Sequence, residues 1–293
     1  MMKRIASEKF FTDYCEELSE DSERPWCKIN MSYLADFHVH TYYSDDSECP
    51  MEAMIQRAIQ QHLDEIAFTE HVDYGVKTDL NCDYEAYFSE IESLQKKYSG
   101  QIVIKQGIEF GVQLHTIEQF KKDFKRYPFD FVILSNHQIE DNEFWNYAYQ
   151  KGKTQQEYQR DYYQAIYQVM EQYKEYSVLG HLDMIKRYDQ YGDFPDEEIM
   201  RYVEPILQLM IKDGKGIEVN TSSFKYGLKD LMPSKRILKR YYELGGTIIT
   251  IGSDAHEAVH LADHINEVKK ELRAIGFDRF CTFEKMIPKY HEL

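Results

Sequence analysis

From Tyr33 to the C-terminus, short apolar runs alternate with longer amphipathic stretches. The runs are Tyr33–Phe37, Glu65–Thr69, Ile102–Ile108, Asp130–Leu134, Ser177–Leu179, Gly216–Val219 and Thr247–Ile251. They are short and rich in β-branched and aromatic residues, which predicts buried strands. Between them, apolar side chains recur at helical spacing. Met54, Ile55, Ala58, Ile59 and Leu63 form one stripe, with Pro50 suited to the first helical position and Glu52 in the first turn. Tyr84, Phe88, Ile91, Leu94 and Tyr98 form a second, and Tyr158, Tyr162, Ile166, Val169 and Tyr173 a third. Ile199, Val203, Ile206 and Met210 predict a helix kinked at Pro205. Ile237, Tyr241 and Leu244 predict one ended by Gly245-Gly246, and Ile265, Val268 and Leu272 follow the last strand.

Strands alternating with helices imply parallel pairing, in a barrel or a doubly wound sheet. The polar residues choose between the two. The runs end in His38 and His40, then His71, Glu109, His137, His181, Asn220, and finally Asp254 and His256. Chemistry in (β/α) barrels gathers at the C-terminal ends of the strands, whereas an open sheet collects ligands at one switch point. A closed barrel of about seven strands is the expected fold. Residues 1–30 differ from the rest: Glu16-Glu17-Leu18-Ser19-Glu20-Asp21-Ser22-Glu23-Arg24 is acidic and aperiodic. They read as an extension, either a short appended helix or sequence upstream of a start at Met31.

His38-x-His40 and Asp254-x-His256 are pairs at i, i+2, whose side chains leave a strand on the same side. Each pair can reach one point, so the chain is expected to build a metal site from its two ends. A lone Glu109 after a buried strand needs a cation, because burying an unpaired carboxylate is costly. Mixed imidazole and carboxylate ligands suit Zn, Mn or Fe, and they are too many for one ion. His62, His115, His260, His264 and His291 fit no strand end and read as surface or packing residues.

The formal charge of −16 argues against nucleic acid or an anionic membrane as main partner. A phosphorylated small substrate stays open, because bound divalent cations reverse the local field. The 5 cysteines are scattered without C-x-x-C, which fits a reducing cytoplasm. No signal peptide or apolar run long enough to span a membrane is evident.

The motifs D-F-H-V-H-T with S-D-D (36–41, 44–46), F-T-E-H (68–71), G-I-E (107–109), S-N-H (135–137), G-H-L-D with K-R (180–183, 186–187) and S-D-A-H (253–256) stand in this order. The chain thereby resembles the polymerase and histidinol phosphatase (PHP) family, in its histidinol-phosphatase branch, from Met31 to Leu293. The resemblance implies a distorted (β/α)7 TIM-like barrel with two or three divalent metal ions. One metal would take His38, His40, Glu109 and Asp254; a second would share Glu109 and add His137 and His181; a third would use Asp46, His71 and His256. Arg187 and Lys225 would contact the phosphate, with lysine standing where the family commonly has arginine. Catalytic roles fall to Glu109, Asp254 and Arg187.

The implied activity is hydrolysis of L-histidinol phosphate in histidine biosynthesis, with a metal-bridging hydroxide as nucleophile. The rival readings are a PHP enzyme for another phosphate ester or a phosphodiester, and a non-enzymatic metal-binding barrel. Glu70 and Asp183 are candidate acids for the leaving group, and Glu140 or Asp141 a candidate acidic rim for the substrate's ammonium.

Overall fold

In the computed structural model, whose described residues are 32–293, the chain alternates strand and helix almost throughout. In chain order the elements are β1 (Ala35–Val39), α1 (Met51–Gln60), β2 (Glu65–Phe68), β3 (His71–Val72), α2 (Tyr84–Lys97), β4 (Val103–Gly111), α3 (Ile117–Arg126) and β5 (Phe131–Ser135). The hairpin β6 (Gln138–Ile139) and β7 (Asn142–Glu143) follows, then α4 (Gln155–Gln172), β8 (Val178–Leu179), α5 (Asp196–Lys212) and β9 (Gly216–Asn220). The one-turn α6 (Ser222–Lys225), α7 (Lys235–Glu243), β10 (Ile249–Gly252) and α8 (Ile265–Ile275) lead to a closing hairpin, β11 (Arg279–Glu284) and β12 (Ile287–Glu292). The proposed 1–30 extension lies outside the described residues.

All seven expected strands form and pair in parallel, in the order β1-β2-β4-β5-β8-β9-β10. The first and last strands then meet. Asp254 N–H donates to His38 O at 2.8 Å and His40 N–H to Ala255 O at 2.9 Å, and Val39 bridges Ala255. The result is a nearly closed seven-stranded parallel barrel. Its strands are buried along almost their whole length, as expected when helices cover the outer face.

Sequence alternation and capping explain the helices. Thr154 and Glu157 form a capping box at the start of α4, and Asp83 and Ser234 cap α2 and α7. Pro205 sits inside α5, as expected. Two strand assignments shift. β2 stops at Phe68, and His71 opens the separate short β3, which pairs with β4 through His71 and Glu109. β4 runs on to Gly111, so Glu109 lies inside a strand and not beyond its end.

Asp36 fastens the seam between the two ends of the barrel. Its buried carboxylate accepts from Ser253 N–H at 2.9 Å, Ala262 N–H at 2.9 Å and the Ser253 hydroxyl. Burial pushes this carboxyl up to about 6, although those hydrogen bonds pull the other way.

Candidate metal centre

The strand ends bring six imidazoles and three carboxylates to one floor, and Glu109 is its centre. Its Oε2 lies 3.0 Å from His38 Nε2, 3.4 Å from His40 Nε2 and 3.2 Å from His71 Nε2. Its Oε1 lies 2.8 Å from His181 Nε2 and 3.1 Å from His137 Nε2, and accepts from the Ser135 hydroxyl at 2.6 Å. Asp254 Oδ1 stands 3.7 Å from His38 Nε2 and 3.5 Å from His40 Nε2. His256 Nε2 faces Asp46 Oδ2 at 3.1 Å. Every expected metal ligand therefore reaches this floor.

These side chains fit metal ions. His38, His40 and Asp254 offer ligand atoms within 4.8 Å of one another, as do His38, Glu109 and His181, and also His40, His71 and His256. Asp45 and Asp46 converge with His71 in the same way. His40 Nε2 is buried and aimed between two carboxylates yet makes no hydrogen bond, the position of a ligand and not of a donor. Burial, then the neighbouring His71 and His256, hold His40 well below the usual imidazole range, so it is neutral and free to ligate.

The outer nitrogens of four of the six rings are held. His38 Nδ1 contacts Glu218 Oε1, His137 Nδ1 lies 3.0 Å from Asp73 Oδ1, and His40 Nδ1 lies 3.0 Å from Ser44 Oγ. His256 Nδ1 lies 2.9 Å from the Asp254 carbonyl. Such partners fix the tautomer and turn the inner nitrogen toward a metal. Burial raises the Asp73 carboxyl, but the facing His137 outweighs this and leaves it below its ordinary value.

Close backbone approach makes the arrangement possible. A Cβ on Gly252 would lie 2.2 Å from His38 Cβ, and one on Gly111 would lie 1.8 Å from Asp73 Oδ1. Asp254 itself has φ 56, in the left-handed region, which costs of order 1–3 kcal/mol for a residue with a side chain. The backbone turn there aims both Asp254 and His256 at the floor.

Above the floor is a cavity of about 270 Å³, walled by Arg187, Met184, Tyr188 and Tyr226, and elsewhere by Lys77 and Trp145. Arg187 is buried with its Nη2 3.1 Å from Asp254 Oδ2, and it also donates to Ser222 Oγ and to Asn220 Oδ1 at 3.4 Å. Asp189 is engaged elsewhere, by Gln155, Tyr158 and Gln159. Lys225 is exposed and stays off the cavity wall, which its neighbour Tyr226 joins.

The proposed acids also sit away from the cavity wall. Glu70 is buried and occupied by Thr41 N–H at 2.9 Å, the Thr41 hydroxyl at 2.7 Å and the Ser44 hydroxyl at 2.7 Å. It shapes the loop after β1. Asp183 accepts from Ser234 N–H at 3.1 Å and pairs with Lys186 at 2.7 Å. Asp141 pairs with His115 at 3.2 Å and accepts from Gln113, and Glu140 lies in the exposed turn of the β6–β7 hairpin. His291 stacks on Tyr33 and His264 on Phe224, packing roles as expected.

Among the site residues not picked out from the sequence are Asp73, Glu218, Lys77 and Trp145. Of these, Glu218 had a signal. Glu218 sits in the buried run Gly216–Val219, where an unpaired acid is as costly as Glu109 would be. Lys77 and Trp145 lie in irregular loops without any periodic cue.

Comparison with known proteins agrees with this geometry. The PHP domain family matches residues 36–222. A histidinol-phosphatase of Lactococcus lactis is 33% identical over 255 residues, covering 86% of this chain and 94% of that protein. A Clostridium acetobutylicum protein named probable histidinol-phosphatase is 32% identical, covering 87% and 98%. The crystal structure of histidinol phosphate phosphatase from Lactococcus lactis, complexed with zinc, L-histidinol and phosphate, is 32% identical and superimposes with a TM-score of 0.81 over 87% of this chain and 98% of that one. On the matching family domain, the length and level of these identities and the shared fold, the chain belongs to the PHP family.

Proposed function

We propose that this protein hydrolyses L-histidinol phosphate to L-histidinol and phosphate, using two or three divalent metal ions. One observation carries the reading: nine metal-ligating side chains meet under a cavity whose wall holds a buried arginine. The relatives named as histidinol-phosphatases over nearly the whole chain give the substrate. His38, His40, Glu109, Asp254, His137, His181, His71, His256 and Asp46 would hold the metals, with zinc favoured by the complexed relative. Bound metal would acidify water and screen the phosphate charge.

The rest of the work falls to the chain. Arg187 faces the cavity with a charge that cannot be lost, and its guanidinium suits phosphate oxygens. Asp254 Oδ2 holds it there, helped by Asn220 and Ser222. Met184, Tyr188, Tyr226 and Trp145 make the wall partly apolar, able to seat an organic leaving group and exclude water. Among the described residues no helix is long and apolar enough to cross a membrane. Work in the cytoplasm, alongside the free thiols of Cys49, Cys82 and Cys281, completes the reading.

The deciding experiment is steady-state hydrolysis of a phosphate-ester panel by zinc- or manganese-loaded protein. Histidinol phosphate should be the preferred substrate by kcat/KM. Equal or better turnover of unrelated monoesters or of a diester would replace the substrate. No hydrolysis at all by metal-loaded protein would leave a metal-binding barrel.

A further inference from the structure

We infer that Lys77 is the second cationic contact of the substrate's phosphate, lining the same cavity as Arg187. This rests on the phosphate-ester reading above. Lys77 and Arg187 are the two permanent cations among the residues lining the cavity. The carboxylates and imidazoles that line the cavity, seven in all, are suited to metal. A phosphate over that floor thus meets one guanidinium and one ammonium.

Lys77 is held in place to serve this role. It lies in a turn fixed by the Gly75 N–H donating to Thr78 Oγ1 at 2.9 Å and the Thr78 hydroxyl donating to Gly75 O at 2.8 Å. Its Nζ lies 4.6 Å from the centre of the Trp145 ring and donates to Asp45 Oδ2 at 2.6 Å. An ammonium has three donors, and among the described residues Asp45 is the only hydrogen-bond acceptor that Nζ meets. Two donors remain for a ligand. The Trp145 face attracts the cation without using a donor.

Asp45 also explains why the charge remains available to a ligand. Its other oxygen stands 3.8 Å from His71 Nδ1, and Asp45, Asp46 and His71 form one of the metal-capable groups. A metal ion held there would also draw on Asp45 and leave Lys77 less fully neutralised by it. Lys225 lacks all these features: it is exposed and off the cavity wall.

Inorganic phosphate is the probe, titrated calorimetrically into metal-loaded wild type, Lys77→Met, Lys77→Arg and Lys225→Met, with bound metal measured in each. Loss of one charge-assisted contact should raise the phosphate Kd of Lys77→Met about tenfold or more. Lys77→Arg should stay within a few fold, Lys225→Met within about twofold, and the metal content should be equal in all four. Lys77→Met binding phosphate like wild type would overturn the inference. So would a change of one whole ion in Lys77→Met, which would make Lys77 a support of the metal ligands. A Lys225→Met loss as large as that of Lys77→Met, or a wild type that binds no phosphate, would overturn it too. Histidinol phosphate turnover by wild type is read separately: its failure with phosphate binding intact discards the substrate and leaves Lys77 in place.

Discussion

Glu109 shows how much one side chain decides. Its two oxygens divide the histidines, with His38, His40 and His71 on Oε2 and His137 and His181 on Oε1. Burial raises this carboxyl, yet the surrounding imidazoles outweigh it and hold it well below the usual carboxylate range. Such a group suits a bridge between cations. Glu109→Gln keeps the shape and removes the charge. Metal affinity and kcat/KM should both fall, by more than the roughly 10–100-fold that loss of a partner outside the ligand shell costs. The far-ultraviolet circular dichroism should not change. Near-wild-type turnover by this variant would remove Glu109 from the bridge. Arg187 is a different case, because of the nine expected ligands it bonds Asp254 alone, at the outer oxygen. Arg187→Ala should lower kcat/KM about ten- to a hundredfold, as for a charge-assisted contact worth roughly 1.5–3 kcal/mol. Asp254 keeps Asn220 and Ser222 on that oxygen, so most metal should stay. Elemental analysis beside kinetics separates the two roles, and activity lost only in step with metal would make Arg187 a support of the metal ligands.

Among the elements, the latch of Asp36 across the seam invites the clearest test. Asp36→Asn replaces one acceptor oxygen by a donor that must face Ser253 or Ala262 N–H. A buried donor left without an acceptor costs about 1–3 kcal/mol, so the melting temperature should drop by several degrees. An unchanged melt would show that the seam does not depend on this carboxylate. The elements were also where sequence and structure parted. The seven barrel strands could be read because burial on both faces makes them continuous apolar runs. α3 could not, because its core face is narrow: among IEQFKKDFKR only Ile117 and Phe120 are buried. The C-terminal hairpin hid for two reasons. β12 is largely exposed, and its turn is made by Lys285 and Met286 at positive φ, where Asn-Gly would have announced it. β3, β6 and β7 are two residues each, too short for any period. The metal ligands were visible because metals demand particular residue types at strand ends. Asp73, Lys77 and Trp145 acquire their roles from neighbours distant in sequence, which no local pattern records.

At the scale of the molecule, Tyr33–Leu293 forms one compact unit that contains every metal-capable group found among the described residues. A chain beginning at Met31 should therefore fold, bind the same metal complement and keep most of its kcat/KM. Insoluble or inactive protein from that start would show that residues 1–30 are needed by the barrel or its site. Within the unit, the metal site spans the joint between the first strand and the last. His38 and His40 leave β1, while Asp254 and His256 follow β10, and the two backbones bond directly there. During synthesis the ribosome delivers one half of the floor long before the other. A nascent chain or a fragment cleaved before Ser253 lacks two of the nine ligands and the strand that closes the sheet. Hydrolytic power should thus arrive only with the complete barrel, because an ion held by His38, His40 and Asp254 needs both ends of the chain.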